Sequence, residues 1–134
     1  MVTKVLKVGI ISRVDYVERT IAIAKGEYKP RADEPKVWFE SLKSMAEILS
    51  NDNQELLRLI VERKPQSLSD LESLSGRNKS NLSRTLKTLE RYGIVALERS
   101  ETRLVPKVCA TDFKVEFGMH FSHFTQKIAA TVND

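Results

Sequence analysis

The sequence predicts an α+β chain that opens with a small strand–helix–strand–helix segment and continues into helices and a β-hairpin. Two patterns predict this fold class. Short segments rich in apolar residues are typical of half-buried strands. Apolar residues spaced three and four apart, behind Ser, Asp or Asn caps, are typical of helices. The length of 134 residues, with 41% hydrophobic and 30% charged residues, fits one soluble globular domain or one small domain with an added subdomain.

Strands are predicted at 6–10, 37–39, 94–98, 103–108 and 113–117. The first is predicted because Leu6, Val8 and Ile10 alternate with other residue types, and Phe113, Val115 and Phe117 alternate in the same way. The polar tip at 99–102 indicates that the two strands around it form a hairpin. Trp38 and Phe39 are expected in the core of a sheet rather than in a ligand pocket.

Helices are predicted at about 12–25, 41–50, 53–64, 67–75 and 78–92. Three of them begin with a capping box, in which a side-chain oxygen accepts from the unpaired N–H groups of the first turn: Ser12 with Asp15, Asp52 with Glu55, and Ser67 with Asp70. Asn78 is expected to cap the last helix, and Gly93 to end it in the left-handed conformation. We expect Leu56, Leu57 and Ile60 to lie in the core rather than to contact a partner.

Positive charge is concentrated in one stretch of the chain. Lys and Arg exceed Asp and Glu by four overall, yet residues 1–76 hold twelve of each sign. Residues 77–107 hold eight basic residues against three acidic ones, a net charge of +5. Such asymmetry favours a site for a polyanion, although charge clusters are also common on solvated surfaces.

Residues 53–108 run helix, helix, short turn at Gly76, helix and hairpin, with a Ser/Asn/Arg-rich helix followed by Leu-Glu-Arg-Tyr-Gly-Ile-Val at 89–95. This segment resembles a winged helix–turn–helix domain of the kind found in MarR-like transcription regulators. The resemblance implies an α+β winged helix–turn–helix domain at 53–110, preceded by an N-terminal α/β extension at 1–52 for dimerisation. Residues 111–134 would add a C-terminal strand and a short helix or tail.

The helix at 78–92 is the expected recognition helix. With about 100° between successive residues, Leu86 and Leu89 lie within about 40° of Leu82, and a polar face lies opposite. The residues expected to contact DNA from this helix and the turn before it are Arg77, Lys79, Ser80, Asn81, Ser83, Arg84 and Lys87. Arg reads guanine edges and the first residues of such a helix approach the bases, whereas Lys87 and Arg91 are expected to reach phosphates. Exposed helix faces also carry Lys and Arg for solubility alone.

The hairpin tip is expected to add Arg99 and Arg103 to the DNA contact. In the winged families the equivalent tip crosses the minor groove or its phosphates, and a narrow minor groove attracts Arg. A solvated turn, with Glu98 and Glu101 balancing the charge, is the alternative.

Enzyme chemistry has little support in the sequence. The five glycines are isolated, so neither a dinucleotide-binding nor a Walker-type loop is present. His120, His123 and Cys109 are a weak metal signal, and we expect no metal and no cofactor. Cys109 is expected to be a buried small apolar residue. No apolar stretch is long enough for a membrane span, and the N-terminus does not fit a signal peptide, so a cytoplasmic protein is expected.

Two functions therefore remain open. One is a sequence-specific, double-stranded-DNA-binding transcriptional regulator, a homodimeric repressor or autoregulator. The other is an antitoxin-type protein that neutralises a partner toxin and binds DNA only for autoregulation, because the whole chain also resembles small regulators that are often paired with toxin genes. RNA binding is less favoured, because Tyr92 is the only aromatic residue on the basic helix.

Overall fold

The computed structural model describes residues 3–118, and within them the chain is α+β. The elements in chain order are β1 (Val5–Ile10), α1 (Arg13–Ala24), β2 (Val37–Phe39), α2 (Leu42–Ile48), α3 (Asn51–Arg63), α4 (Leu68–Ser75), α5 (Lys79–Arg91), β3 (Val95–Ser100), β4 (Arg103–Val108) and β5 (Asp112–Glu116). Their order confirms the predicted sequence of strands and helices. Over the same residues, no helix has the length and apolar character needed to cross a membrane.

The chain divides into two compact units. One contains Ala46–Asp112 and the residues up to Val5, and therefore holds α3, α4, α5 and the β3–β4 hairpin. The other contains Leu6–Met45 and the described residues from Phe113 onward. The proposed boundaries at 52 and 110 stay predictions.

The second unit is built on a three-stranded sheet in the order β2-β1-β5. The strands β1 and β2 are parallel, with Val8 opposite Val37, and α1 connects them. Val8 and Phe39 are completely buried, which confirms the core role of Phe39. Gly9 is required beneath Trp38, because a Cβ on Gly9 would lie 2.5 Å from the indole ring.

A buried ion pair lies in the same unit. The guanidinium of Arg19 donates to the carboxylate of Glu34 over 2.9 Å, and the side chains are only 11% and 4% exposed. The same guanidinium lies over the rings of Trp38 at 5.3 Å and Tyr28 at 5.8 Å. This contact ties the loop after α1 back onto the helix.

The first unit has an aliphatic core supplied by all three of its complete helices. The completely or nearly completely buried residues are Leu56, Leu57, Ile60, Leu71, Leu82, Leu86, Leu89, Ile94, Val95 and Val105. Helix α4 packs on α5, α3 packs on α4 and β4, and β3 packs on α5. The expected core role of the α3 residues is confirmed.

The start of α3 differs from the prediction. Ser50, not Asp52, is the N-cap, and its Oγ accepts from the N–H of Asn53 over 3.2 Å. Asp52 therefore lies in the first turn, where the helix dipole favours a carboxylate. Glu55 pairs with Arg58 one turn further on instead of closing a capping box.

Two details at the hairpin also differ. The strand β4 has the predicted bounds, but β3 continues to Ser100 instead of ending at Glu98, so the turn is only Glu101 and Thr102, with Glu101 at a φ of +57°. Cys109 is exposed rather than buried, because β4 ends before it and Ala110 takes the buried position.

The strand β5 forms as predicted, but its apolar residues are less covered than expected. Val115 and Phe117 are 46% and 52% exposed, so neither is buried in the core among the described residues. The candidate metal ligands His120 and His123, and the rest of the predicted tail after Gly118, lie outside the described residues.

Candidate nucleic-acid interface

The turn between α4 and α5 is set by local capping. The Oγ of Ser67 accepts from the N–H of Asp70 over 3.0 Å, which confirms the cap of α4. Gly76 ends α4 with a φ of +75°, and its N–H donates to the carbonyl of Glu72. A left-handed residue at this position favours glycine, since a side chain is strained there. The chain therefore leaves α4 and starts α5 within three residues.

Both ends of α5 are capped as predicted. The Oδ1 of Asn78 accepts from the N–H of Asn81 over 2.8 Å. At the other end Gly93 has a φ of +74°, and the N–H of Ile94 donates to the carbonyl of Leu89. These two bonds mark the ends of a helix of 13 residues.

Helix α4 also contributes a carboxylate to the start of α5. The Oε2 of Glu72 accepts from the backbone N–H of Lys79 over 3.0 Å. The contact satisfies one of the unpaired N–H groups at the start of α5 and ties the two helices together. Sequence reasoning missed Glu72, because no local spacing rule links residues seven apart in different helices.

The two faces of α5 have opposite characters. Leu82, Leu86 and Leu89 are completely buried. The residues on the opposite side are all exposed, and we call them the basic face: Ser80, Arg84, Lys87 and Arg91. Lys79 is exposed in the first turn, whereas Asn81 and Ser83 are half-buried at the two borders between the faces.

The basic face is not neutralised by acidic side chains of the described chain. The ion pairs among residues 3–118 involve Lys7, Arg19, Arg31 and Arg58, and none involves a basic residue of 77–107. Glu90, the acidic residue within α5, instead accepts from the backbone N–H of Leu97 over 3.2 Å, so its carboxylate is directed to β3. The positive charge of Arg84, Lys87 and Arg91 is therefore left to solvent or to a ligand.

Arg77 differs from the other predicted DNA ligands. It is half-buried, and its guanidinium donates to the backbone carbonyl of Asp52 over 2.7 Å and to the Oδ1 of Asn53 over 3.2 Å. Two of its donors are thus used within the protein, at the start of α3. A polar surface groove lies beside this contact, lined among others by Asn53, Asn78 and Asn81.

The hairpin places its two arginines near the turn on opposite faces. Arg99 is paired with Leu104 and Arg103 with Ser100, and both arginines are exposed. Since cross-strand partners share a face and neighbours along a strand alternate, Arg99 projects from the face of Leu97 and Arg103 from the other. A ligand that lies on one face of the hairpin therefore contacts only one of the two arginines from that face.

Comparison with known protein families matches residues 48–115 to the family HVO_A0114, and no curated protein and no solved structure matches the chain. The matched span is half of the chain and contains α3, α4, α5 and the hairpin, which are all the elements of the candidate interface. The chain belongs to the HVO_A0114 family.

Proposed function

We propose that this protein binds double-stranded DNA sequence-specifically as a winged helix–turn–helix transcriptional regulator. In this proposal α4, the turn at Gly76 and α5 form the helix–turn–helix, and β3 with β4 forms the wing. The observation that carries it is the basic face of α5, which is exposed, lies opposite three completely buried leucines, and has no ion-pair partner among residues 3–118.

The dimensions of α5 support insertion in the major groove. Its 13 residues make a rod of roughly 20 Å, and a helix with its side chains is about 10–12 Å across. The major groove of B-DNA is about 12 Å wide. Ser80 and Arg84 lie in the first half of the helix, which approaches the base edges in this class of domain, while Lys87 and Arg91 lie further along, where phosphates are expected.

The hairpin supports the same orientation. Helix α5 packs on β3, so the arginines near the hairpin turn belong to the same unit as the basic face. We propose that Arg103 contacts the flanking backbone or minor groove. Arg99 shares its face of the hairpin with half-buried Leu97 and Leu104, and we propose a weaker contact for it.

We further propose that the protein acts as a homodimer. One recognition helix covers only a few base pairs, whereas a two-fold dimer reads two half-sites. Within β1, Val8 is completely buried and Leu6 and Ile10 are half-buried, so Val5 is the one apolar residue of this strand that is exposed. Helix α1 instead exposes Val14, Val17 and Ile21, and their spacing of three and four residues is typical of helix pairs.

Selection of bound sequences from random duplex DNA, at a stated salt concentration, tests the proposal. We expect one recurrent motif to be enriched. The variant carrying Arg84→Ala, Lys87→Ala and Arg91→Ala should enrich nothing. A matched control, with Lys29→Ala, Lys36→Ala and Lys43→Ala, removes the same charge from exposed positions and should select the same motif as the parent protein. Equal loss in both variants, or no motif for the parent, would refute sequence-specific binding through α5.

The alternative is an antitoxin-type protein whose main task is to hold a toxin. The observation that favours it is the same exposed stripe on α1, because large exposed apolar patches mark interaction sites. Co-expression with the product of a neighbouring gene tests it. The alternative requires that the parent protein relieves the toxicity of that product, and that the variant with Val17→Asp and Ile21→Asp does not.

A further inference from the structure

Arg77 lies in the three-residue connection between α4 and α5, and each residue of this connection has one structural constraint. Gly76 has the left-handed conformation that ends α4, and Asn78 caps α5 through its side chain. Arg77 lies between them, and its backbone N–H donates to the Oγ of Ser75 over 3.2 Å. Its side chain is the group that links this connection to a third helix.

The acceptors of Arg77 are held in place by independent contacts. Asn53 donates its backbone N–H to Ser50 and its Nδ2 to the carbonyl of Ile48 over 3.0 Å. Because the amide nitrogen is occupied in this way, the Oδ1 of Asn53 is oriented toward Arg77. The second acceptor, the carbonyl of Asp52, is part of the first turn of α3 and is equally fixed.

We propose that Arg77 is a positioning residue for DNA recognition and not a DNA ligand. By joining the α4–α5 connection to the start of α3, it sets the orientation in which α5 presents the basic face to the major groove. This inference rests on the proposed DNA-binding function. It differs from the sequence prediction, which placed Arg77 among the contacts, because the structure uses two of its donors internally.

The two roles have different consequences for salt and for specificity. A phosphate ligand contributes to binding of every sequence and adds about one to the slope of log affinity against log salt concentration. A positioning residue contributes only where the correct orientation is needed, at the selected site. Loss of charged hydrogen bonds of this kind is expected to lower affinity for the selected site by roughly tenfold.

The experiment measures binding of Arg77→Ala and Asn53→Ala to the selected site and to random duplex DNA over a range of salt concentrations. We expect Arg77→Ala to lose roughly tenfold in affinity for the selected site, and Asn53→Ala to lose less because it leaves the bond to the carbonyl of Asp52. Both variants should retain the affinity for random DNA and the salt slope of the parent protein. The double variant should be no weaker than Arg77→Ala alone, because Arg77→Ala already removes the contact with Asn53. Lys87→Ala is the matched control, and it should weaken binding to both DNAs and reduce the slope.

Other outcomes overturn the inference. If Arg77→Ala weakens binding to both DNAs and reduces the slope by about one per subunit, Arg77 is a phosphate ligand. If it changes neither affinity, the contact with α3 has no role in recognition. If Arg77→Ala fails to fold, Asn53→Ala decides: a loss of affinity confined to the selected site supports the positioning role, and unchanged binding to both DNAs overturns it. Failure of the parent protein to select any sequence would instead refute the proposed function.

Discussion

The guanidinium of Arg19 and the carboxylate of Glu34 form an ion pair over 2.9 Å that is almost closed to solvent, and the other carboxylate oxygen, Oε1, is buried with no hydrogen-bond partner among the described residues. Because both groups are buried, each charge is stabilised mainly by the other, and an isolated charge is strongly disfavoured away from water. The rings of Tyr28 and Trp38 near the guanidinium reinforce this dependence.

Removing one partner of this pair is expected to destabilise the protein strongly. Arg19→Ala leaves Glu34 buried without a counter-ion, which should lower the free energy of unfolding by about 3–5 kcal/mol. The matched control is Arg31→Ala, because Arg31 pairs with Asp33 at the surface, where the side chains are 48% and 71% exposed. This control should cost no more than about 1 kcal/mol. Urea unfolding of both variants checks the prediction, and similar costs for the two would contradict it.

DNA binding is expected to depend strongly on salt. A dimer that contacts roughly six to eight phosphates should show a slope of about −5 to −7 when log affinity is plotted against log salt concentration. Fluorescence anisotropy with a labelled duplex over a salt series measures this slope. A value near zero would mean that the basic residues of 77–107 do not form the binding site.

Arg84 and Arg103 are expected to have different roles. Arg84→Ala should cost about 1–3 kcal/mol on the selected site and relax specificity at one base position, since Arg84 lies in the basic face. Arg103→Ala, on the hairpin, should weaken binding to most sequences alike and reduce the salt slope by about one per subunit. Binding of both variants to selected and random DNA separates the two roles, with thermal melts alongside.

Neither change should unfold the protein, because both side chains are exposed and surface substitutions usually fall within about 0.5 kcal/mol. Equal losses for both variants on both DNAs would exclude base reading by Arg84. If neither variant changes binding, α5 is not the recognition helix.

The protein is expected to sediment with about twice the chain mass of 15.3 kDa at micromolar concentration. Val17→Asp together with Ile21→Asp should convert it to a monomer, because a charge in an apolar helix contact is costly to bury. Tyr16→Asp is the matched control, since exposed Tyr16 lies about 100° or more around α1 from each residue of the stripe, and a charge there should leave the dimer intact. A parent protein near the mass of one chain would exclude the dimer, and a dimeric double variant would leave the α1 stripe for another partner.

Much of the fold could be predicted because its signals are local. The helix α5 was bounded by Asn78 and Gly93, and both residues cap it as expected. Where two local signals competed, the prediction was less accurate: Ser50 and Asp52 are both good N-cap residues, and Ser50 takes the position. Cys109 was misplaced for another reason: the end of the strand at Val108 was predicted correctly, but the spacing of residues could not show that Ala110, and not Cys109, is buried after it.

The sequence by itself determined the order of helices and strands, and it determined that α5 has a leucine face opposite a basic face. This followed because an α-helix completes one turn every 3.6 residues, whatever surrounds it. Only the tertiary structure decided that Arg77 binds residues at the start of α3, up to 25 positions earlier, and that Arg19 meets Glu34. Such contacts depend on how separate elements pack, and the spacing of residues along one element carries no information about that packing.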